Sequence, residues 1–244
     1  MLLQACLNGA RNVVEHPAVP VTAEQLAADG AACVRAGAGA LHLHPRDGAG
    51  RESLDAAVVD PVVCVVRAAC GVPVGVATGA WVEPDPERRA ELVSRWTKPD
   101  FASVNLSEAG AVEVMEALLA ANIGVEAGVW SVEDAERLAR SGLAARVTRV
   151  LVEVLEGSGS PAAATARRID AALDRLAITA DRLHHGEREA TWPVLRQALV
   201  LGRDTRIGFE DTPVLPDDTF AQSNAELVAA AAALRDELTA PGAR

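Results

Sequence analysis

Short apolar runs alternate along the chain with longer stretches whose apolar positions recur every three or four residues, the pattern of repeated βα units. The first strand is expected at about Leu2 to Leu7, followed by Asn8-Gly9 and a loop to Pro20. A helix then starts at Thr22, with Gln25 three residues on completing a capping box, and runs to about Ala36. Gly37 and Gly39 end it, and Ala40 to His44 reads as the second strand. The second helix spans Asp55 to Ala69, with Pro61 marking its expected first turn. Strands at Val72–Ala77, Phe101–Asn105, Ile123–Val129 and Val147–Val154 are separated by helices at Asp85–Trp96, Ala109–Ala121 and Val132–Ser141. A flexible joint at Glu156–Pro161 precedes the helix Ala162–Leu176. Strands at Thr179–His185 and Arg203–Phe209 bracket the helix Thr191–Leu201, and Asn224–Leu238 closes the chain. Eight such units in one chain predict a single-domain (β/α)8 TIM barrel over residues 1–244. A doubly wound sheet fits less well, because Asn8-Gly9-Ala10-Arg11 does not supply the G-x-G-x-x-G turn after the first strand.

Composition narrows the function classes. Half of the 244 residues are hydrophobic, only 3% are aromatic and there is no Tyr, so the core is one of small aliphatic contacts. The net charge of −11 disfavours nucleic acid or an anionic membrane as partner, although it leaves room for a local basic pocket. Cys6, Cys33, Cys64 and Cys70 form no C-x-x-C pair and read as free thiols in a reducing compartment. The start of the chain has no basic segment of the kind that opens a signal peptide, and the apolar runs fall short of a membrane span. A cytoplasmic, soluble protein is expected.

The chemistry collects where a barrel places it, at the C-terminal ends of the strands. His42 and His44 alternate with Leu41 and Leu43, so both imidazoles share one strand face and could hold one metal ion. Two buried core histidines are the competing reading. In Arg206-Ile207-Gly208-Phe209-Glu210-Asp211, Arg206 and Gly208 share a face while Glu210 and Asp211 sit at the mouth. Only the first strand separates this one from the second, so Glu210 could complete a His/His/Glu zinc site, with Asp211 as a base or a group orienting a histidine. The alternative is an Arg206–Asp211 surface pair with Glu210 solvated. Further polar groups stand at other strand ends: Thr78, Ser103, Asn105, Glu126, Glu153, Glu156 and His185. His185 is expected to donate a hydrogen bond into the pocket and His184 to face outward. Trp81, Trp130 and Trp192 read first as core packing and second as pocket wall. Cys6 reads as inert filler.

These stretches together resemble the β-keto acid cleavage enzyme family, typified by 3-keto-5-aminohexanoate cleavage enzyme. The matching segments are Asn8-Gly9-Ala10, Pro20-Val21-Thr22, His42 to Asp47 with Gly50, Thr78-Gly79, Ser103-Val104-Asn105, Val125-Glu126, Arg206 to Asp211 and Ser223-Asn224-Ala225, in order along nearly the whole chain. H-x-H-x-R together with R-x-G-x-E-D is a specific pair. The resemblance implies a zinc ion on His42, His44 and Glu210, a proton-transfer pair of Asp211 and Arg206, and a pocket lined by Glu126, Ser103 and Asn105 with Thr78 nearby. It implies a homotetramer that converts a β-keto acid and acetyl-CoA into acetoacetate and a new acyl-CoA.

Two positions depart from the typified enzyme. Ala77 stands where that enzyme has Ser, and Arg11 where it has Glu. Arg11 would repel an ammonium group and attract a carboxylate or phosphate, so a substrate other than the amino keto acid is expected. Arg46 could clamp a substrate carboxylate or brace its own loop, and the bracing role is favoured. A metal-dependent aldolase or lyase acting through a zinc-stabilised enolate needs the same parts and stays open, as does a non-catalytic metal-binding barrel. An amidohydrolase is disfavoured, because H-x-H lies on the second strand and strands five and six carry no His.

Overall fold

The computed structural model describes residues 1–155 and 160–240. Strands β1 (Leu3–Cys6), β2 (Ala40–Leu43), β3 (Val74–Ala77), β4 (Phe101–Asn105), β5 (Gly124–Val129), β6 (Arg149–Val154), β7 (Asp181–Gly186) and β8 (Asp204–Ile207) alternate with eight helices. The helices are α1 (Ala23–Arg35), α2 (Ala56–Cys70), α3 (Pro86–Val93), α4 (Ala111–Ala120), α5 (Val132–Ser141), α6 (Ser160–Arg175), α7 (Thr191–Val200) and α8 (Asn224–Thr239). Each strand pairs in parallel with its sequence neighbour, and β8 closes on β1. The expected (β/α)8 barrel is the fold. Residues 156–159 of the expected joint, Glu156 included, lie outside those described, while Ser160 and Pro161 belong to α6 and not to a joint.

Local chemistry explains the element ends. Thr22 accepts from the Gln25 amide while the Gln25 side chain reaches back to the Thr22 N–H, so α1 begins on the expected capping box. Helix α2 begins at Ala56 on an Asp55 cap, so Pro61 lies inside the helix and not in its first turn. That proline forfeits one backbone hydrogen bond, and the buried face of Val59, Val62, Val63 and Val66 holds the helix regardless. Helix α3 stops at Val93, short of Trp96, whose buried indole is instead fixed by donating to the Leu54 carbonyl at 2.8 Å. Among the described residues no helix is long and apolar enough to cross a membrane.

The outer strand faces meet the helices through Leu3, Ala5, Leu41, Leu43, Val76, Val125, Val150 and Val152, all buried. The inner space is more polar than the aliphatic layers that commonly fill such barrels. Gln4 donates to Glu126 at 2.9 Å, and Arg149 lies 3.2 Å from the same carboxylate. Above this layer β1 and β8 approach so closely at Gly208 that a Cβ there would lie 2.0 Å from the Cys6 carbonyl oxygen. That contact is with backbone and has no flexible end to move aside. Gly208→Ala is therefore expected to destabilise the protein by at least about 2 kcal/mol, read as a lowered midpoint in urea. An unchanged midpoint would mean that the two strands part at no cost.

Candidate active site

The mouth is assembled by side chains that clamp backbone. Asn8 receives the His44 N–H on Oδ1 and donates from Nδ2 to the His44 carbonyl, both at 2.9 Å. This two-point grip fixes the residue just past the end of β2. Gly9 has φ +52°, and a Cβ on it would lie 2.5 Å from Glu210 Cγ, so the Asn8-Gly9 pair both grips His44 and makes room for Glu210. Asn224 accepts from the Phe209 N–H at 2.6 Å and donates to the Leu7 carbonyl at 2.7 Å, tying the turn that carries Glu210 back to β1.

The outcome is a three-residue cluster. One ligand atom each of His42, His44 and Glu210 lies within 4.8 Å of the others. Glu210 Oε2 is 3.7 Å from His42 Nε2 and 3.6 Å from His44 Nε2. Ligands of a tetrahedral zinc at about 2.0–2.1 Å stand roughly 3.4 Å apart, so the spacing fits one ion. His44 Nε2 and Glu210 Oε2 are buried without a hydrogen-bond partner, as open ligand atoms would be. His44 Nδ1 meets Glu52 Oε2 at 2.8 Å, which commits the ring to present Nε2 to the cluster.

The electrostatics suit a cation. Burial opposes charge on all three side chains. It holds His42 down to about 3, so that ring stays neutral. At His44, Glu210 and Glu52 overcome burial and raise the ring to about 9. At Glu210, Arg206, His42 and His44 outweigh burial and keep the carboxyl well below its usual range. The proton attracted to His44 is what a metal ion would displace.

Beside the cluster, Arg206 Nη2 bonds Glu210 Oε1 and Asp211 Oδ1, both at 2.8 Å. The pair is buried, with Asp211 at 0% exposure, so the surface-pair alternative fails. Asp211 Oδ2 accepts from the Cys6 thiol at 2.8 Å, which gives Cys6 a polar role that the sequence concealed. His185 Nδ1 lies 3.5 Å from Asp211 and its Nε2 3.5 Å from Glu153, which also accepts from Trp130 Nε1 at 2.9 Å. Burial and Arg206 oppose the charge of His185, but Glu153 and Asp211 prevail and raise it to about 9. His184 turns the other way, toward Asp170 on α6 at 3.1 Å.

A cavity of about 410 Å³ opens over the cluster and Arg206, while Asp211 is fully buried and is not among its lining residues. His42, His44, Arg206, Glu210, Arg11, Ser103 and Asn105 line it, with Leu151 and Leu155 as an apolar wall. Three other expected pocket residues stand elsewhere. Glu126 is fully buried in the polar layer with Gln4 and Arg149. Thr78 is buried and donates to the Ser103 carbonyl at 2.7 Å. Arg46 donates to the carbonyls of Gly9, Gly50 and Arg11, bracing two loops. Trp81 and Trp130 line the cavity and are not core, a reversal of their first reading. Trp81 lies nearly parallel to the His44 ring, at 18°, and donates to Glu52. Glu52, Glu187 and Arg188 were not singled out in the sequence. For Glu52 a signal exists: Arg46-Asp47-Gly48-Ala49-Gly50 is a turn that folds Glu52 back opposite Arg46.

Fold and mouth define a (β/α)8 barrel protein with a candidate metal centre beside a buried arginine–carboxylate pair. The family model described as beta-keto acid cleavage enzyme matches residues 1–244, and the chain belongs to that family. A curated relative, the 3-keto-5-aminohexanoate cleavage enzyme of Acetoanaerobium sticklandii, is 24% identical over 259 residues, covering 99% of this chain and 93% of that protein. Among solved structures, a ternary complex of ObcA with a C4-CoA adduct and oxalate superimposes with TM-score 0.71 at 16% identity, covering 91% of this chain. The chain spans 64% of ObcA's length. The 3-dehydroquinate dehydratase of Geobacillus kaustophilus matches with TM-score 0.66 at 10% identity, covering 99% of this chain and 92% of that one. At these identities the two structures speak for the fold.

Two expectations follow from the geometry. Glu52→Gln, which removes the charge behind His44, should weaken the affinity for an added divalent metal ion about 10–100-fold in a competition titration against a chromophoric chelator. Unchanged affinity would remove Glu52 from the centre. Burial, with Glu153 and Asp211 adding to it, raises Glu187 to about 7 from an ordinary 4.5. The folded protein then holds a proton that the unfolded chain releases, so stability from this group is lost as pH rises from about 4.5 through 7. In the metal-free protein the Glu187→Gln variant should therefore gain thermal stability over the parent at pH 8 and lose that advantage at pH 4. A pH-independent difference would contradict it.

Proposed function

We infer that the protein exchanges acyl groups between a β-keto acid and acetyl-CoA, giving acetoacetate and a new acyl-CoA. The observation that carries this is the His42, His44 and Glu210 cluster, with its unpartnered ligand atoms, next to the Arg206–Asp211 pair in a member of this family. His42, His44 and Glu210 are proposed to hold a zinc ion, which when bound supplies Lewis-acid polarisation of the keto acid's oxygens. The ObcA complex, on the same fold, contains a CoA adduct, which is in keeping with a thioester co-substrate.

The chain's own residues divide the remaining work. Asp211 accepts the proton from the carbon between the ketone and the carboxylate. Burial raises the Asp211 carboxyl, but Arg206 and His185 outweigh it and keep it ionised and ready to accept. Arg206, paired with both carboxylates and facing the cavity, stabilises negative charge that develops on the substrate. The α-carbon attacks the thioester carbonyl and expels the CoA thiolate. That thiolate attacks the original ketone, the bond between the two carbonyl-bearing fragments breaks, and the acetoacetate carbanion regains a proton from Asp211. Atoms balance without an oxidant or reductant. Ser103, Asn105 and Arg11 bound the space for the acid, with Leu151 and Leu155 excluding water from one side. A homotetramer in the cytoplasm completes the proposal, supported by exposed apolar side chains such as Val14, Val200 and Leu201 and by four free thiols.

The test joins a metal assay to a screen of β-keto acids with acetyl-CoA, read as acetoacetate release. Asp211→Asn should retain the metal and lose at least about 100-fold in kcat. Full turnover in that variant would remove Asp211 as the base. Cleavage that proceeds without acetyl-CoA would favour the aldolase or lyase reading.

A further inference from the structure

Three arginines line the cavity, and only one is committed to the candidate metal centre. Arg206 is buried and turned onto Glu210 and Asp211 through Nη2. Arg11 and Arg188 converge from opposite ends of the chain on one spot. The Arg11 guanidinium reaches the Glu210 and Asp211 carbonyls with Nε at 3.4 Å and Nη2 at 3.5 Å. The Arg188 backbone N–H donates to that same Asp211 carbonyl at 2.8 Å. The two residues are thus pinned to one oxygen at the rim.

Arg188 is held there against its backbone preference. Its φ is +52°, a left-handed conformation that a side-chain-bearing residue adopts only under strain. A residue forced into that state at a cavity rim is aimed by its surroundings and not by its own propensity. Among the described residues the Arg188 side chain has no hydrogen bond or ion pair. It is exposed and lines the cavity.

The acidic groups nearby do not cancel these two cations. Glu15 pairs with Arg11 at 3.3 Å, but that carboxylate is 45% exposed, and a solvent-screened pair of this kind yields readily to a better-placed anion. Glu153 is engaged by Trp130 and His185. Glu187 is largely buried and faces Glu153 and Asp211, and burial first, then those two carboxylates, disfavour its charge.

We propose that Arg11 and Arg188 form an anion subsite, which takes a second acidic group at the far end of the keto acid, so that the preferred substrate is a β-keto dicarboxylate. Two guanidinium forks can hold one carboxylate through several charged hydrogen bonds. An amino-bearing acid would be repelled, and a neutral chain would leave the cations unused. The inference rests on the acyl-exchange reading above and adds the class of its substrate. A CoA phosphate offers the same anionic chemistry, so the test separates the two sources.

The zinc-loaded protein is assayed with 3-oxoadipate, 3-oxohexanoate and the amino-bearing 3-keto-5-aminohexanoate, varying acetyl-CoA independently. The expected order of kcat/KM places 3-oxoadipate first. The 3-oxoadipate to 3-oxohexanoate ratio should fall at least about tenfold in Arg11→Gln and in Arg188→Gln, and Arg188→Lys should recover part of it. Preference for the amino acid substrate, an unchanged ratio, or a rise in the acetyl-CoA KM that is equal for every keto acid would overturn the proposal, the last by assigning both arginines to CoA phosphate. Calorimetric binding of glutarate against butyrate to the same proteins needs no turnover. Glutarate selectivity that is lost in both variants sustains the subsite even where acyl exchange is not observed, and absence of that selectivity in the parent protein overturns it.

Discussion

One buried guanidinium governs the mouth of this barrel. Arg206 stands between two carboxylates at 2.8 Å each, with almost no solvent to dilute its charge. One positive charge cannot neutralise two negative ones, and Glu52 adds a third behind His44, so without a metal ion the imidazoles of His44 and His185, both raised to about 9, carry part of the balance. Burial makes such an imbalance expensive unless another cation shares it. Removing Arg206 would leave two like charges in low dielectric, a loss of about 3–5 kcal/mol for a broken buried pair. The same imbalance makes the site chemically useful. It favours a divalent ion on Glu210, and it leaves Asp211 ionised in a place where a carboxyl would otherwise hold its proton.

That arrangement depends on backbone being placed to within tenths of an ångström, and amide side chains do the placing. Asn8 and Asn224 each use both ends of the amide, one locking His44 and the other locking the turn before Glu210. Both are fully buried. A buried amide with unmet hydrogen bonds is costly, so each tolerates very few geometries. The clamps act on neighbouring elements, which links the candidate ligands from β2 and β8 through β1 between them. Gly9 and Gly208 supply the clearance that lets these segments close up.

The legible parts of the sequence were those governed by short-range rules. β4 and α5 have the limits expected, because Phe101–Asn105 is compact and Ser131 and Gly142 cap the helix at both ends. The grouping of His42, His44 and Glu210 followed from strand alternation and barrel closure, both fixed by geometry. Pocket membership was less accessible. Glu126 stands on the expected strand but in a lower layer, and no local pattern reports depth along a barrel axis. Trp81 and Trp130 are as apolar as core residues, and only their indole partners, Glu52 and Glu153, reveal a boundary position. Arg188 was invisible because its importance lies in a left-handed backbone that no glycine or asparagine signals.

The polar floor beneath the cavity belongs to the same argument. An aliphatic layer in place of Gln4, Glu126 and Arg149 would on general grounds be at least as stable. Barrels of this class usually fill that space with branched side chains. Gln4 and Arg206 are register partners on β1 and β8, and burial raises the Glu126 carboxyl while Arg149, Gln4 and Arg206 act against that rise. The floor therefore continues the charge network of the mouth downward. An apolar floor would place a low-dielectric boundary directly under Arg206 and raise the cost of keeping its guanidinium charged. Polar filling of the barrel is thus best read as a consequence of the mouth: stability given up in one layer keeps the charge that the layer above requires.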